Sequence, residues 1–289
     1  MGPVATYFAL LKGFVAIGFL WMPKNCLNGG WLFSLFSMAL SFTITYYCLV
    51  KLLQAKLATP GATSFADVAR AALGKYGMWI TDFLIALMQY GFVIALLFFT
   101  ISNLKSVADG LFSEPIDIIY VGIFVFAVTT PLCLVRRIEK FAFTYIFADA
   151  LIFITAITIL VFATLHIKDK GWKWGEGVPI LNEKTWLTMI GSAIYSFEGV
   201  GVVLPILDVS EDHSKFPMVL FAVMVTNVFL YTIFGEYCLF VYGSELIGKP
   251  LITMNLPDIT IVYVLKGIFC VNVIISISLC SFPAHTICE

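Results

Sequence analysis

Residues 193–205 read Ala193-Ile194-Tyr195-Ser196-Phe197-Glu198-Gly199-Val200-Gly201-Val202-Val203-Leu204-Pro205. They lie inside an apolar stretch, Trp186 to Leu207, whose one charge is Glu198. A carboxylate at bilayer depth costs roughly 2.5–3.5 kcal/mol on insertion scales, so intramembrane acids face a bundle interior or an aqueous cavity. The two glycines let the helix unwind locally, and non-helical backbone survives at that depth only where protein buries it or water reaches it. An acid and a breaker in one span point to an ion or substrate site in a transporter.

The composition around this stretch agrees. Of 289 residues, 61% are hydrophobic and only 12% charged, whereas soluble domains carry about 25% charge. The chain is therefore an all-α polytopic membrane protein. Its net charge of −1 and the absence of Lys/Arg-rich runs or zinc-finger spacings argue against a nucleic-acid partner. Seven scattered cysteines without a Cys-x-x-Cys pair read as small hydrophobes, not as metal or redox ligands. The first apolar segment runs into Pro23 and carries Lys12 at its middle, unlike a cleavable signal.

A span needs about 20 apolar residues. Eight candidates follow: roughly 4–23, 31–53, 77–102, 116–135, 142–166, 186–207, 217–243 and 259–282. Asn28-Gly29-Gly30 parts the first two, Pro60-Gly61 follows the second, and Arg136-Arg137-Ile138-Glu139-Lys140 parts the fourth and fifth. The polar stretch Lys168 to Lys184 precedes span six, and its Trp172 and Trp174 suit an interfacial cap. Lys51, Lys56, Arg70 and Lys75 after span two share a face with Arg136, Arg137 and Lys140. Lys168, Lys170, Lys173 and Lys184, offset by acids, lie on the other. The Lys/Arg bias predicts a cytoplasmic N-terminus.

The chain reads as a single transmembrane domain over 1–289 containing a faint repeat. Span one has Gly13-Phe14-Val15-Ala16-Ile17-Gly18 and then Pro23; span six has Glu198-Gly199-Val200-Gly201 and then Pro205. Paired glycine-interrupted spans, one opening each half, are the pattern of an inverted-repeat transporter with a midplane site. The first repeat is expected over about 1–166 and an incomplete second over about 186–289. Two more spans past Glu289 would complete it, so the chain is either a piece of a longer protein or one with a shortened second repeat.

At these residues the chain resembles the amino acid/auxin permeases, and among them the proton-coupled amino acid transporters and the fungal vacuolar amino acid exporters. Leu10-Leu11-Lys12-Gly13-Phe14-Val15-Ala16-Ile17-Gly18-Phe19-Leu20-Trp21-Met22-Pro23, followed by Leu27-Asn28-Gly29-Gly30, is similar to the family's first-span signature. Residues 193–205 are similar to its sixth-span signature, and Ser281-Phe282-Pro283-Ala284 to its eighth span. The resemblance implies a LeuT-type bundle, with about eight of eleven expected helices in this chain. It also implies substrate held between spans one and six and coupling to protons. Where the family commonly has Gly-Thr-Gly, this chain has Ala16-Ile17-Gly18. The alanine stiffens the unwound turn; the isoleucine removes a hydroxyl and adds apolar bulk, changes that weaken a polar site.

Each candidate has a bland counterpart. Glu198 reads as a proton-titrating carboxylate, or as a structural acid tying unwound backbone. Lys12 could pair with it across the site, or snorkel to the interface. Gly13, Ala16, Ile17, Gly18, Tyr195, Ser196, Phe197, Gly199 and Gly201 are the expected substrate-binding positions. Half-helix N-termini there favour a carboxylate and freed carbonyls favour an ammonium, against close helix packing through small residues. Glu236 and Lys266 are further embedded charges that would pair or line a water path. His166, His213 and His285 lie near span ends without metal-ligand spacing.

No enzyme constellation, cofactor motif or metal set appears. The expected function is secondary active transport of neutral amino acids, coupled to protons, with lipids, an amino acid and a proton as partners. The alternative is a transport-degenerate structural subunit of a larger membrane complex; a channel would show a filter motif or a ring of like charge. An intracellular organelle membrane of vacuolar or lysosomal type is expected, or the mitochondrial inner membrane for a complex subunit.

Overall fold

The computed structural model describes residues 2–15, 17–62, 64–111, 116–133, 142–171, 177–197, 199–257 and 259–288. These are overwhelmingly helical, with no strand among them. In chain order the helices are α1 (Pro3–Phe14), a 3-10 turn (Ile17–Trp21), α2 (Met22–Gly29), α3 (Trp31–Leu57), α4 (Phe65–Leu111) and α5 (Ile118–Cys133). They continue with α6 (Ala142–Lys170), α7 (Trp186–Tyr195), α8 (Val200–Asp208), α9 (Phe216–Tyr242) and α10 (Thr260–Cys288). Among the described residues Trp31–Ala58, Phe65–Leu111, Trp186–Asp208 and Phe216–Leu246 are long and apolar enough to cross a membrane. Their outward faces are apolar too: Phe83, Leu87 and Ile94 of α4 and Ile119, Ile123 and Phe126 of α5 are all exposed. A surface of that kind suits lipid, not water.

Two expectations shift. The stretch before 77 was read as loop, yet α4 begins at Phe65. The reason is a reciprocal cap: the Ser64 amide donates to Asp67 Oδ2 at 3.0 Å and the Asp67 amide donates to Ser64 Oγ at 3.1 Å. That pairing satisfies two of the amides a helix start leaves open. Gly74, at φ 70 and ψ −157, then breaks the helix, a conformation that glycine adopts without steric cost. Lys51 and Lys56, read as loop residues, belong to α3. Lys56 is buried, with Nζ 2.9 Å from an Asp208 carboxylate oxygen and bonded to the Ala62 carbonyl. The Arg136–Lys140 stretch and the two tryptophans 172 and 174 lie outside the described residues.

The chain divides into two compact units. The first comprises Met1–Gly74 and Leu160–Ile252, the second Lys75–Ile159 and Thr253–Glu289; each gathers residues from both halves of the expected repeat. In the first unit α1, α2 and α3 pack on α9, α1 also on α8, and α2 and α3 also on α7. The core joins Leu10 and Phe14 of α1, Leu49 and Leu53 of α3, Val203, Leu204 and Leu207 of α8, and Leu220, Val223 and Met224 of α9. On α9 the buried positions Leu220, Val223, Asn227, Tyr231, Phe234 and Cys238 recur at three- and four-residue steps, the period of one helix face. Asp212 readies that helix: its Oδ1 accepts the Ser214 amide at 3.0 Å and the Ser214 hydroxyl at 2.6 Å. The hydrogen bonds from Ser214 and Lys215 hold its carboxyl well below the usual range.

In the second unit α5 packs on α10. Asn103 donates to the Phe99 carbonyl at 3.0 Å and accepts from the Thr253 hydroxyl at 2.8 Å. Lys266 Nζ donates to Ser106 Oγ at 2.9 Å.

Candidate functional site

Spans one and six are both interrupted. α1 ends at Phe14, and Val15 turns extended at φ −87 and ψ 97 while its amide still reaches the Leu11 carbonyl at 2.9 Å. α2 restarts at Met22 with Pro23 in its first turn, where the missing N–H costs nothing. In span six α7 ends at Tyr195 and α8 begins at Val200. Helix ends are where backbone groups are left open; at the span-six break the Phe197, Val200 and Val202 amides still find the Ile194, Phe197 and Gly199 carbonyls at 3.1, 3.3 and 3.2 Å.

The two interruptions meet. A Cβ built on Gly199 would lie 2.7 Å from the carbonyl carbon and oxygen of Gly13 and from Phe14 Cγ. A Cβ on Gly13 would run into the Val202 side chain, with Gly199 Cα at 3.9 Å. Gly18 touches Tyr195 in the same way, a Cβ there lying 2.8 Å from the ring. None of these glycines has a positive φ. They serve close approach of backbones, which is how small residues associate helices in lipid. Gly201 has open space around it.

Placement of the expected positions is uneven. Gly13, Gly18, Tyr195, Ser196, Phe197 and Gly199 fall around the meeting point, with Ser196 and Phe197 buried. Ile17 opens the 3-10 turn and Lys12 lies in the last turn of α1. Glu198 and Ala16 lie outside the described residues, as do the side chains of Lys12 and Ile17.

One residue at the site was not singled out from the sequence. Asn227 of α9 is fully buried, and its Nδ2 donates to the Ser196 carbonyl at 2.8 Å. It thereby satisfies one of the acceptors freed where α7 stops. Its Oδ1 has no hydrogen-bond partner among the described residues. The available signal was an amide in an otherwise apolar span. Asn227→Leu leaves the Ser196 carbonyl buried and unsatisfied, at a cost of about 1–3 kcal/mol. A lowered thermal unfolding midpoint in detergent is the expected result; a midpoint equal to wild type would mean the bond is not made.

Ring packing closes the wall behind Gly18. Phe19 stacks on Phe234 with centroids 3.8 Å apart and meets the edge of Tyr231 at 5.5 Å. Tyr7 and Thr226 share a hydrogen bond of 2.8 Å, tying α1 to α9 beside Asn227. No group of three or more His, Cys, Asp or Glu suited to a metal occurs among the described residues.

The sequence profile of the family described as "Transmembrane amino acid transporter protein" matches residues 2–289. The chain belongs to this family. Its members are transporters and not enzymes. "Vacuolar amino acid transporter 4" of Saccharomyces cerevisiae is 30% identical over 98% of the chain and 40% of its own length. "Vacuolar amino acid transporter 3" of Schizosaccharomyces pombe is 27% identical over 97% of the chain and 42% of its own. "Amino acid transporter AVT3B" of Arabidopsis thaliana is 26% identical over 98% and 70%. The chain thus spans about two-fifths of the length of the two yeast relatives. Within this transporter family the meeting of spans one and six is the feature on which a substrate site can be argued.

Proposed function

We propose that the chain belongs to a proton-coupled secondary transporter of neutral amino acids. It works in an organelle membrane of vacuolar type, with its N-terminus on the cytoplasmic side. The bundle is of LeuT type and carries eight spans in this sequence. The observation that supports this reading best is the contact of Gly199 with the backbone of Gly13. It sets the interruptions of two spans side by side in a chain of this family. The names of the yeast relatives support the substrate class and the membrane.

In this reading the amino acid's ammonium is taken by carbonyls freed at the ends of α1 and α7. Its carboxylate faces the start of α8, where the helix dipole favours negative charge. Ala16 and Ile17 are apolar, residue types that suit a neutral side chain. Glu198 responds to protonation and Lys12 balances its charge. Uptake follows when one arrangement of the interrupted spans gives way to another.

The test is uptake of labelled neutral amino acids into liposomes under a pH gradient. Wild type accumulates substrate; Glu198→Gln, which keeps the shape but cannot titrate, loses gradient-driven accumulation by tenfold or more while still exchanging substrate. Equal gradient-driven uptake by the two proteins removes Glu198 from coupling.

A further inference from the structure

Glu236 is a second acid deep in α9, and it stands in a place of its own. Gly235 beside it has no side chain, so α2 comes close: a Cβ at 235 would lie 2.8 Å from Met22 Cγ and 2.9 Å from Cys26 Sγ. The approach sets the Cys26 thiol in hydrogen-bonding contact with the Glu236 carboxyl. From α3, Ser34 Oγ bonds Glu236 Oε1. Glu236 Oε2 has no partner among the described residues.

The groups around this carboxyl are thiols and hydroxyls. Cys26 faces it from α2, and Cys238, two residues on in α9, acts on Cys26. α3 presents Ser34. Lys24 lies on α2, two residues before Cys26, and the side chain of Lys12, the lysine of α1, lies outside the described residues. Burying an ionised carboxylate is costly, and binding a proton removes that cost.

The Ser34 hydroxyl fits both states. It has one hydrogen to give, yet two acceptors lie in reach: Glu236 Oε1 and the Trp31 carbonyl, the latter at 2.8 Å. With Glu236 ionised, Ser34 donates to it. With Glu236 protonated, the carboxyl O–H donates to Ser34 Oγ and the Ser34 hydrogen turns to the Trp31 carbonyl. One proton is gained and one hydrogen bond changes direction, and no heavy atom moves. Ser34 lies in the first turn of α3 and Glu236 lies six residues before the end of α9, so the pair is near the helix ends remote from Pro3.

We propose that Glu236, with Ser34 as its hydrogen-bond switch, is a second proton-binding site of this chain, separate from Glu198. Its part in coupling rests on the transport reading above; its proton binding does not. Two measurements on the full chain therefore decide it. In pH-difference infrared spectra, wild type shows a protonated-carboxyl C=O band that titrates, and Glu236→Gln lacks that band. Ser34→Ala keeps the band with a displaced midpoint. In liposomes, Glu236→Gln retains substrate exchange within about twofold of wild type, because the glutamine amide donates to Ser34 as the acid does. Its pH-gradient-driven uptake falls at least tenfold and its pH profile flattens. A titrating band that persists unchanged in Glu236→Gln overturns the proton site. A wild-type pH profile and gradient-driven uptake in that variant overturn its role in coupling. A wild type that moves no amino acid would sink the transport reading instead, leaving the infrared result to decide the site.

Discussion

If the chain transports as proposed, Gly199→Ala lowers gradient-driven amino acid uptake tenfold or more, and Gly13→Ala lowers it by less. The order follows from what each new methyl meets. At 199 it lies 2.7 Å from two backbone atoms of Gly13 and from Phe14 Cγ, at the root of that ring. Backbone cannot step aside without moving a helix, and overpacking of this kind costs about 1–3 kcal/mol, occasionally more. At roughly 1.4 kcal/mol per tenfold, a cost in that range applied to the conformation that binds substrate means a tenfold loss or greater. At 13 the obstacle is chiefly the Val202 side chain, a terminal group that can yield although its branching makes it stiff. Initial uptake rates in liposomes, with exchange and thermal midpoints measured beside them, give the ranking. Gly199→Ala at wild-type rate, or Gly13→Ala the worse of the two, would contradict the contact.

Gly30→Ala unfolds the corner between spans one and two. Gly30 sits at φ 90 and ψ 151, which a residue with a side chain occupies only at a strain of order 1–3 kcal/mol. The alanine methyl would also lie 2.5 Å from the Ile180 carbonyl oxygen, 2.7 Å from its carbon and 2.8 Å from Leu181 Cα. Strain and clash together put the loss at about 3 kcal/mol or more. Gly61→Ala is the control: φ is 82, but nothing lies within 4 Å of the new methyl. It carries the backbone strain alone. Thermal unfolding in mild detergent should rank wild type, Gly61→Ala and Gly30→Ala in falling order. A midpoint for Gly30→Ala no lower than for Gly61→Ala would show that the 180–181 backbone does not rest against it.

Much of this was legible in residue order. Apolar runs marked where the helices lie, and Gly13–Gly18 and Glu198–Gly201 marked where two of them are interrupted. The reason those glycines are there was not legible. Their φ values are ordinary, and what excludes a side chain is a neighbour from a distant span, which one-dimensional spacing cannot carry. Asn227 and Ser34 escaped for a related cause. A neutral polar residue in an apolar helix gains meaning only from the group opposite it, here the Ser196 carbonyl and the Glu236 carboxyl. The start of α4 is marked by Ser64 and Asp67 at capping-box spacing, but Asp67, Arg70 and Lys75 make its first turns less apolar than the run after 77. Glu236 was noticed as a charge and set against Lys266. In the fold each has a hydroxyl partner inside its own unit, Ser34 and Ser106.

The corner at Gly30 has one more bearing on the molecule. The Trp31 amide bonds the Pro179 carbonyl at 3.2 Å, the Asn182 amide bonds the Gly29 carbonyl at 2.9 Å, and the Thr185 hydroxyl bonds the Asn28 carbonyl at 2.7 Å. These join the exit of α2 to the entry of α7, two helices 157 positions apart at the Asn28–Thr185 bond. Bonds of that kind couple the segments they join, so α2 and α7 belong to one opening unit. Their counterparts, α1 and α8, lie beyond the interruptions and outside that joint. The chain has thereby divided each broken span into a half joined to its counterpart through backbone and a half held by side-chain contacts, Tyr7 to Thr226 from α1 and Lys56 to Asp208 from α8 among them. Heat, detergent or mutation will find the second kind first.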